Sequence, residues 1–117
     1  MFKFQKLVVW EKSIELADSL LSIVEGFPQM YQFSLGDQLR RSLISVPTNI
    51  AEGSGRKSNR ESANFYNIAK GSLYEVISLL TISSKRRLLP RDFDRQGVFD
   101  QAEEIARMIS GLIRVNS

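Results

Sequence analysis

Residues 58–89 read SNRESANFYNIAKGSLYEVISLLTISSKRRLL. Phe65, Ala69, Leu73, Val76, Ile77 and Leu80 recur there at steps of three and four, which lines one face of an α-helix and no face of a strand. Ser58 and Glu61 have the spacing of a capping box, in which each side chain satisfies the other residue's backbone amide. Leu89-Pro90 cannot continue the run. A helix is therefore predicted from Ser58 to about Leu88, about 30 residues and roughly 45 Å long.

The same periodicity extends outward in both directions. Upstream, Leu35, Leu39, Leu43, Val46 and Ile50 form a second seam. Ser34 is placed to cap it with its hydroxyl, and Asp37 sits near the positive end of the helix dipole. Pro47 lies inside this seam and removes the amide that would bond to the Leu43 carbonyl, so a kink or a helix in two halves is predicted. Gly53-Ser54-Gly55 separates it from the long helix.

Further upstream, Leu7, Trp10, Ile14, Ala17, Leu21 and Val24 make another seam, with Val9, Leu16, Leu20, Ile23 and Phe27 in a row beside it. Gly26-Phe27-Pro28 ends that segment. Downstream, Asp92 or Asp94 is placed to cap a last helix carrying Val98, Phe99, Ala102, Ile105, Ile109 and Leu112. No segment has the period of a strand. Four amphipathic helices with short connections predict an all-α protein, one domain over residues 1–117, folded as an antiparallel up-down-up-down four-helix bundle.

The first helix is greasier than a bundle needs. Between Leu7 and Val24, eleven of eighteen residues are apolar, whereas a core face of about three in seven supplies about eight. Either the surplus is an incompletely polar surface, which is common, or it is an additional seam for self-association.

Composition removes whole classes of chemistry. The 117 residues are 43% hydrophobic and 25% charged, the balance of an ordinary globular domain. There are no cysteines and no histidines, so zinc fingers, disulfide scaffolds, Cys nucleophiles and Ser-His triads are excluded. Glu103-Glu104 and Asp92-Phe93-Asp94 are the tight acidic groups, but neighbouring helical residues point in different directions. Lys70 and Ser72 are not spaced as base and nucleophile. Neither an enzyme, a cofactor nor a metal site is expected. The N-terminus lacks the apolar core and cleavage site of a secretory signal, and no run approaches the roughly 20 apolar residues of a membrane span. A cytoplasmic protein is expected.

Charge gives the functional lead. The net charge is +3, but it is unevenly spread: residues 56–95 carry nine Lys or Arg against four Asp or Glu, while the segments on either side are each −1. One candidate patch for nucleic acid is Arg56, Lys57 and Arg60 at the start of the long helix. Cations there oppose the helix dipole, and an incoming phosphate would offset that. The other is Lys85, Arg86, Arg87 and Arg91 at the far end, joined by Arg40 if the bundle runs up and down. Part of that second cluster needs no function, since cations complement a helix C-terminus. Gly53-Ser54-Gly55-Arg56-Lys57-Ser58 is not a nucleotide-triphosphate loop, because the glycine spacing and the preceding strand are both missing.

A polar stripe of Gln38, Arg41, Ser45, Asn49 and Glu52 runs beside the second seam. Ala69, Gly71 and Ser72 on the long helix allow close approach, with Glu75 one turn on. The stripe reads either as a buried network in which Arg41 or Asn49 meets Glu75 or Glu52, or as a binding surface.

Gln38-x-x-Arg41, Ser45-Val46-Pro47-x-Asn49-Ile50-Ala51-Glu52-Gly53, Gly55-Arg56 and Ile68-Ala69-x-Gly71-Ser72-Leu73-x-Glu75 together resemble the bacterial four-helix-bundle family encoded in intervening sequences of 23S rRNA genes. Leu7-x-x-Trp10 and Phe27-Pro28 extend the resemblance over nearly the whole chain. Ser42, where alanine is more usual, and the Lys85-Arg86-Arg87 run are mild departures. The resemblance implies an up-down bundle that assembles into homo-oligomers, ring-shaped pentamers above all. The chain is also similar to accessory proteins of diversity-generating retroelements, which are basic pentamers that associate with a reverse transcriptase and nucleic acid. A non-enzymatic oligomer binding RNA or other nucleic acid through phosphates is therefore expected, with a protein-interaction scaffold or polymerase accessory subunit as the alternative.

Overall fold

The long helix forms as predicted at its start and stops earlier than predicted at its end. In a computed structural model of the protein, which describes residues 1–116, it runs from Asn59 to Lys85. Ser58 accepts a hydrogen bond from the Glu61 amide at 3.1 Å; the reciprocal half of the box is not made. Along the chain, α1 spans Val8–Glu25, the single-turn α2 spans Gln29–Gln32, α3 spans Leu35–Ser54, α4 is the long helix, and α5 spans Arg95–Val115. A 3₁₀ turn at Lys3–Lys6 precedes α1. The described residues contain no strand, and no helix among them is long and apolar enough to cross a membrane.

The end of α4 explains its shortening. The Arg87 amide donates to the Ser84 carbonyl and the Leu88 amide to the Ser83 carbonyl, both at 3.0 Å. This pair satisfies carbonyls that the helix would otherwise leave open, and it turns the chain out of the helix. Arg87 takes φ 59° in doing so, a left-handed conformation that costs a residue with a β-carbon roughly 1–2 kcal/mol. A cation near a helix C-terminus returns about 0.3–1 kcal/mol, and Lys85 and Arg86 already supply one. Leu88, Leu89 and Phe93 fold back on the core, and Asp94 accepts from the Gly97 amide to open α5.

α3 runs as one helix through Pro47, so of the two outcomes expected there the helix in two halves does not occur. Around the lost amide, Thr48 donates to the Ile44 carbonyl at 2.8 Å and Asn49 to the Ser45 carbonyl at 2.8 Å, so side chains supply bonds to this turn. Ser34 is the N-terminal flanking residue, but its hydroxyl bonds to the Tyr31 carbonyl and not to the helix.

The four long helices share one core. Val9, Leu16, Leu20 and Val24 of α1 meet Leu39, Leu43, Val46 and Ile50 of α3, Ala69, Leu73, Val76 and Leu80 of α4, and Ala102, Ile105 and Ile109 of α5. In α1 the core is drawn from both rows: Ala17 and Val24 of the expected seam are buried together with Val9, Leu16 and Leu20 of the row beside it. Trp10 and Leu21 are only half-buried, and Ile14 is 40% exposed. Lys12 of α1 pairs with Glu104 of α5 at 2.9 Å, and Ser45 of α3 meets Ser72 of α4 at 2.7 Å. α3 and α4 pack together most extensively, and α1 meets α5 less extensively than it meets α3. The molecule measures 43 × 26 × 25 Å.

Candidate nucleic-acid interface

Apart from Lys70 at its middle, which lies over the Tyr74 ring, helix α4 has its basic residues at its two ends, separated by about 40 Å of helix at 1.5 Å per residue. Lys57 and Arg60 lie at one end, Lys85, Arg87 and Arg91 at or just beyond the other. All five side chains are exposed, and none has an ion pair, a hydrogen bond or a ring contact among the described residues.

The other three candidate cations are engaged. Arg40 Nη1 donates to Gln32 Oε1 at 2.9 Å and Nη2 to Asp37 Oδ1 at 3.1 Å. Arg56 pairs with Glu52 one turn back and lies over the Phe65 ring, 4.5 Å from its centroid. Arg86 donates to the Tyr31 hydroxyl at 2.9 and 3.1 Å. Arg40 does reach the same end of the molecule as Arg86, since Gln32 and Tyr31 both belong to α2. It does so as part of a clasp and not as a free contact.

The expected network of Arg41, Asn49, Glu52 and Glu75 does not form. Asn49 bonds to Ser45 instead, donating to its hydroxyl at 2.9 Å, and Ser45 carries the link across to Ser72. Arg41 has an 83% exposed side chain and only a 3.9 Å approach to Asp37. Glu52 is taken by Arg56, and Glu75 is exposed without an ion-pair partner. Short hydroxyls on both helices let the backbones come close, and the longer charged side chains are pushed to the rim. The Ser45–Ser72 contact was readable only as two small polar residues on facing stripes.

Two features escaped the reading of residues. Gln32 and Tyr31 sit in a turn with no periodic pattern, so nothing marked them as partners for Arg40 and Arg86. The second is an apolar groove between α1 and α3, lined by Phe4, Trp10, Ile14, Leu21, Ile44 and Pro47. The surplus of apolar residues in α1 was its signal; Ile44, 51% exposed, is its counterpart on α3. A second, smaller groove between α4 and α5 is lined by Tyr74, Ile77, Phe99 and Ala106. No group of acidic residues among the described ones is gathered to hold a metal ion.

Comparison with known proteins agrees with the helical fold. The profile described as 23S rRNA-intervening sequence protein matches residues 5–111. No curated protein matches the chain. Among solved structures, it is similar to a protein of unknown function from the S23 ribosomal protein family of Bacteroides thetaiotaomicron VPI-5482. The identity is 24%, the coverage 91% of this chain and 98% of that one, and the TM-score 0.77, so the two share a fold. With the profile spanning all four long helices and the signature residues of α3 and α4, the chain belongs to the 23S rRNA-intervening sequence protein family.

Proposed function

We propose that the protein is a non-enzymatic, oligomeric helical bundle of the cytoplasm that binds RNA through its phosphates, without reading base sequence. The single observation that carries this reading is the set of five unpaired, exposed cations at the two ends of α4. Surface cations left without carboxylate neighbours keep their attraction for a polyanion, and contacts to phosphate supply affinity while carrying no sequence information. In the proposed topology the four long helices run alternately up and down, consistent with Lys12 meeting Glu104 and Ser45 meeting Ser72.

The oligomer is the second part of the proposal. The α1–α3 and α4–α5 grooves use different helices, so contact between them joins unlike surfaces of two copies. Such heterologous contacts close into rings when the rotation permits, and the homopentamer implied by the family resemblance is one such ring. A ring repeats the α4 cations around itself and multiplies weak contacts.

Filter binding of an rRNA fragment at two salt concentrations tests the RNA reading. Affinity is expected to fall steeply as salt rises, with little difference between fragments of unrelated sequence. Binding that is undetectable at low salt, or insensitive to salt, contradicts it. The α1–α3 groove favours a second reading, a protein-interaction scaffold or polymerase accessory subunit. That reading predicts a partner retained after nuclease treatment, and RNA binding predicts its loss.

A further inference from the structure

We infer that Arg87 is a dedicated phosphate-binding residue, kept at the end of α4 against the conformational preference of its own backbone. The inference rests on the RNA reading above and names the residue on which one end of α4 depends most.

At φ 59° Arg87 occupies the position that closes α4, where glycine is accommodated without strain. The local structure gives no reason for an arginine there. Its backbone makes the capping bond to Ser84, which any residue other than proline provides. Its side chain is exposed and makes no hydrogen bond, ion pair or ring contact among the described residues. Complementing the helix dipole is already the work of Lys85 and of Arg86, and the latter is tied to Tyr31. A strained residue whose side chain has no partner inside the chain points to a partner outside it.

The surroundings fit an anion. Leu88, Leu89 and Phe93 pack on the core and hold the loop from within, and the Phe93 amide donates to the Pro90 carbonyl at 3.0 Å. Lys85 and Arg91, both exposed and unpaired, stand two residues before and four after Arg87 in the sequence. Of the loop's carboxylates, Asp94 is occupied in capping α5 and Asp92 forms no ion pair. The turn fixes the backbone of Arg87, and its planar fork matches two phosphate oxygens.

Four variants of the full chain test this: Arg87→Gly, Arg87→Asn, Arg87→Lys and, as a control for charge at large, Arg107→Gln. Thermal unfolding and binding of an rRNA fragment at about 0.1 M salt are measured on each. Arg87→Gly is expected to raise Tm by roughly 4 °C and weaken binding roughly 5- to 10-fold, with the salt slope reduced by about one. Arg87→Asn, neutral and tolerant of the same backbone, is expected to weaken binding equally. Arg87→Lys, which keeps the charge but not the fork, is expected to lose part of the affinity but less than the neutral variants, and Arg107→Gln to lose none. If the wild type binds and Arg87→Gly binds as well, the inference fails while the RNA reading stands. If the wild type does not bind, both fail. A Tm that stays level or falls in Arg87→Gly overturns the claim that arginine is held there at the expense of stability.

Discussion

Arg40 Nη1 donates to Gln32 Oε1 at 2.9 Å, and the amide of the same Gln32 donates to the carbonyls of Val24 and Phe27 at 3.0 and 2.8 Å. Those carbonyls lie where α1 ends, and the Val24 carbonyl also accepts from the Phe27 amide at 3.0 Å. Arg40 therefore steadies the residue that closes α1 and ties α3 to the preceding turn. Arg40→Ala is expected to lower stability in urea by about 1.5–3 kcal/mol, the range for hydrogen bonds to a charged group, and to leave RNA affinity unchanged. A variant as stable as wild type with weakened RNA binding would return Arg40 to the interface.

Two glycines predict opposite effects of the same substitution. A β-carbon at Gly53 would lie 2.6 Å from Tyr66 Cε1 and 3.1 Å from the Ser62 carbonyl. The Tyr66 ring is buried and cannot move aside. Gly53→Ala is expected to cost about 1–3 kcal/mol. A β-carbon at Gly71 meets nothing within 4 Å, so Gly71→Ala is expected to stabilise α4 by about 0.5–1 kcal/mol. Denaturant titration of both reads the signs directly. If Gly71→Ala instead breaks up the oligomer, that face of α4 is packed against another copy.

The Lys12–Glu104 pair sets a pH dependence. The hydrogen bond and charge of Lys12 hold Glu104 below the usual carboxylate range, and Glu104 raises Lys12 above the usual ammonium range. A lowered carboxylate stabilises above its unfolded pKa, and that contribution is lost as pH falls through the folded one. A raised ammonium stabilises below its unfolded pKa, and that contribution is lost as pH rises through the folded one. The pair thus supports the fold between the two and weakens at either extreme. Glu104→Gln is expected to shrink the Tm difference between pH 7 and pH 3, and that between pH 7 and pH 11, each by a small amount because the pair is on the surface. Unchanged differences would mean the pair contributes nothing.

Much of the fold was legible because periodicity survives in single residues. Leu39, Leu43, Val46 and Ile50 are buried as their spacing required, and Asp94 caps α5. What was misread turned on competition between equally apolar rows. Trp10, Ile14 and Leu21 have seam spacing, yet of that seam only Ala17 and Val24 are buried, and Val9, Leu16 and Leu20 of the neighbouring row share the core with them. Both rows satisfy the helix, and only the neighbouring helices decide between them. The candidate site was legible as charge and not as pairing. Asp37 and Glu52 stand one turn from Arg40 and Arg56, spacings that allow ion pairs. Gln32 and Tyr31 gave no such signal, because a single-turn helix is too short to show a period.

The α1–α3 groove predicts self-association through α1. Ile44→Glu places a charge on an exposed apolar position and is expected to leave the helical content intact while reducing the mass measured by light scattering to that of a monomer. A wild-type protein that is already monomeric at micromolar concentration would remove the oligomer from the account.

The most direct measurement compares RNA affinity, as a function of salt, for two multiple variants of the folded protein. In one, the unpaired Lys57, Arg60, Lys85, Arg87 and Arg91 are all changed to glutamine; in the other, the engaged Arg40, Arg56 and Arg86 are. The first is expected to lose most of its affinity and most of its salt dependence, about one unit of slope for each contact removed. The second is expected to be less stable but to bind nearly as wild type. The reverse pattern, with affinity surviving loss of the five free cations and falling with the three engaged ones, would contradict the account.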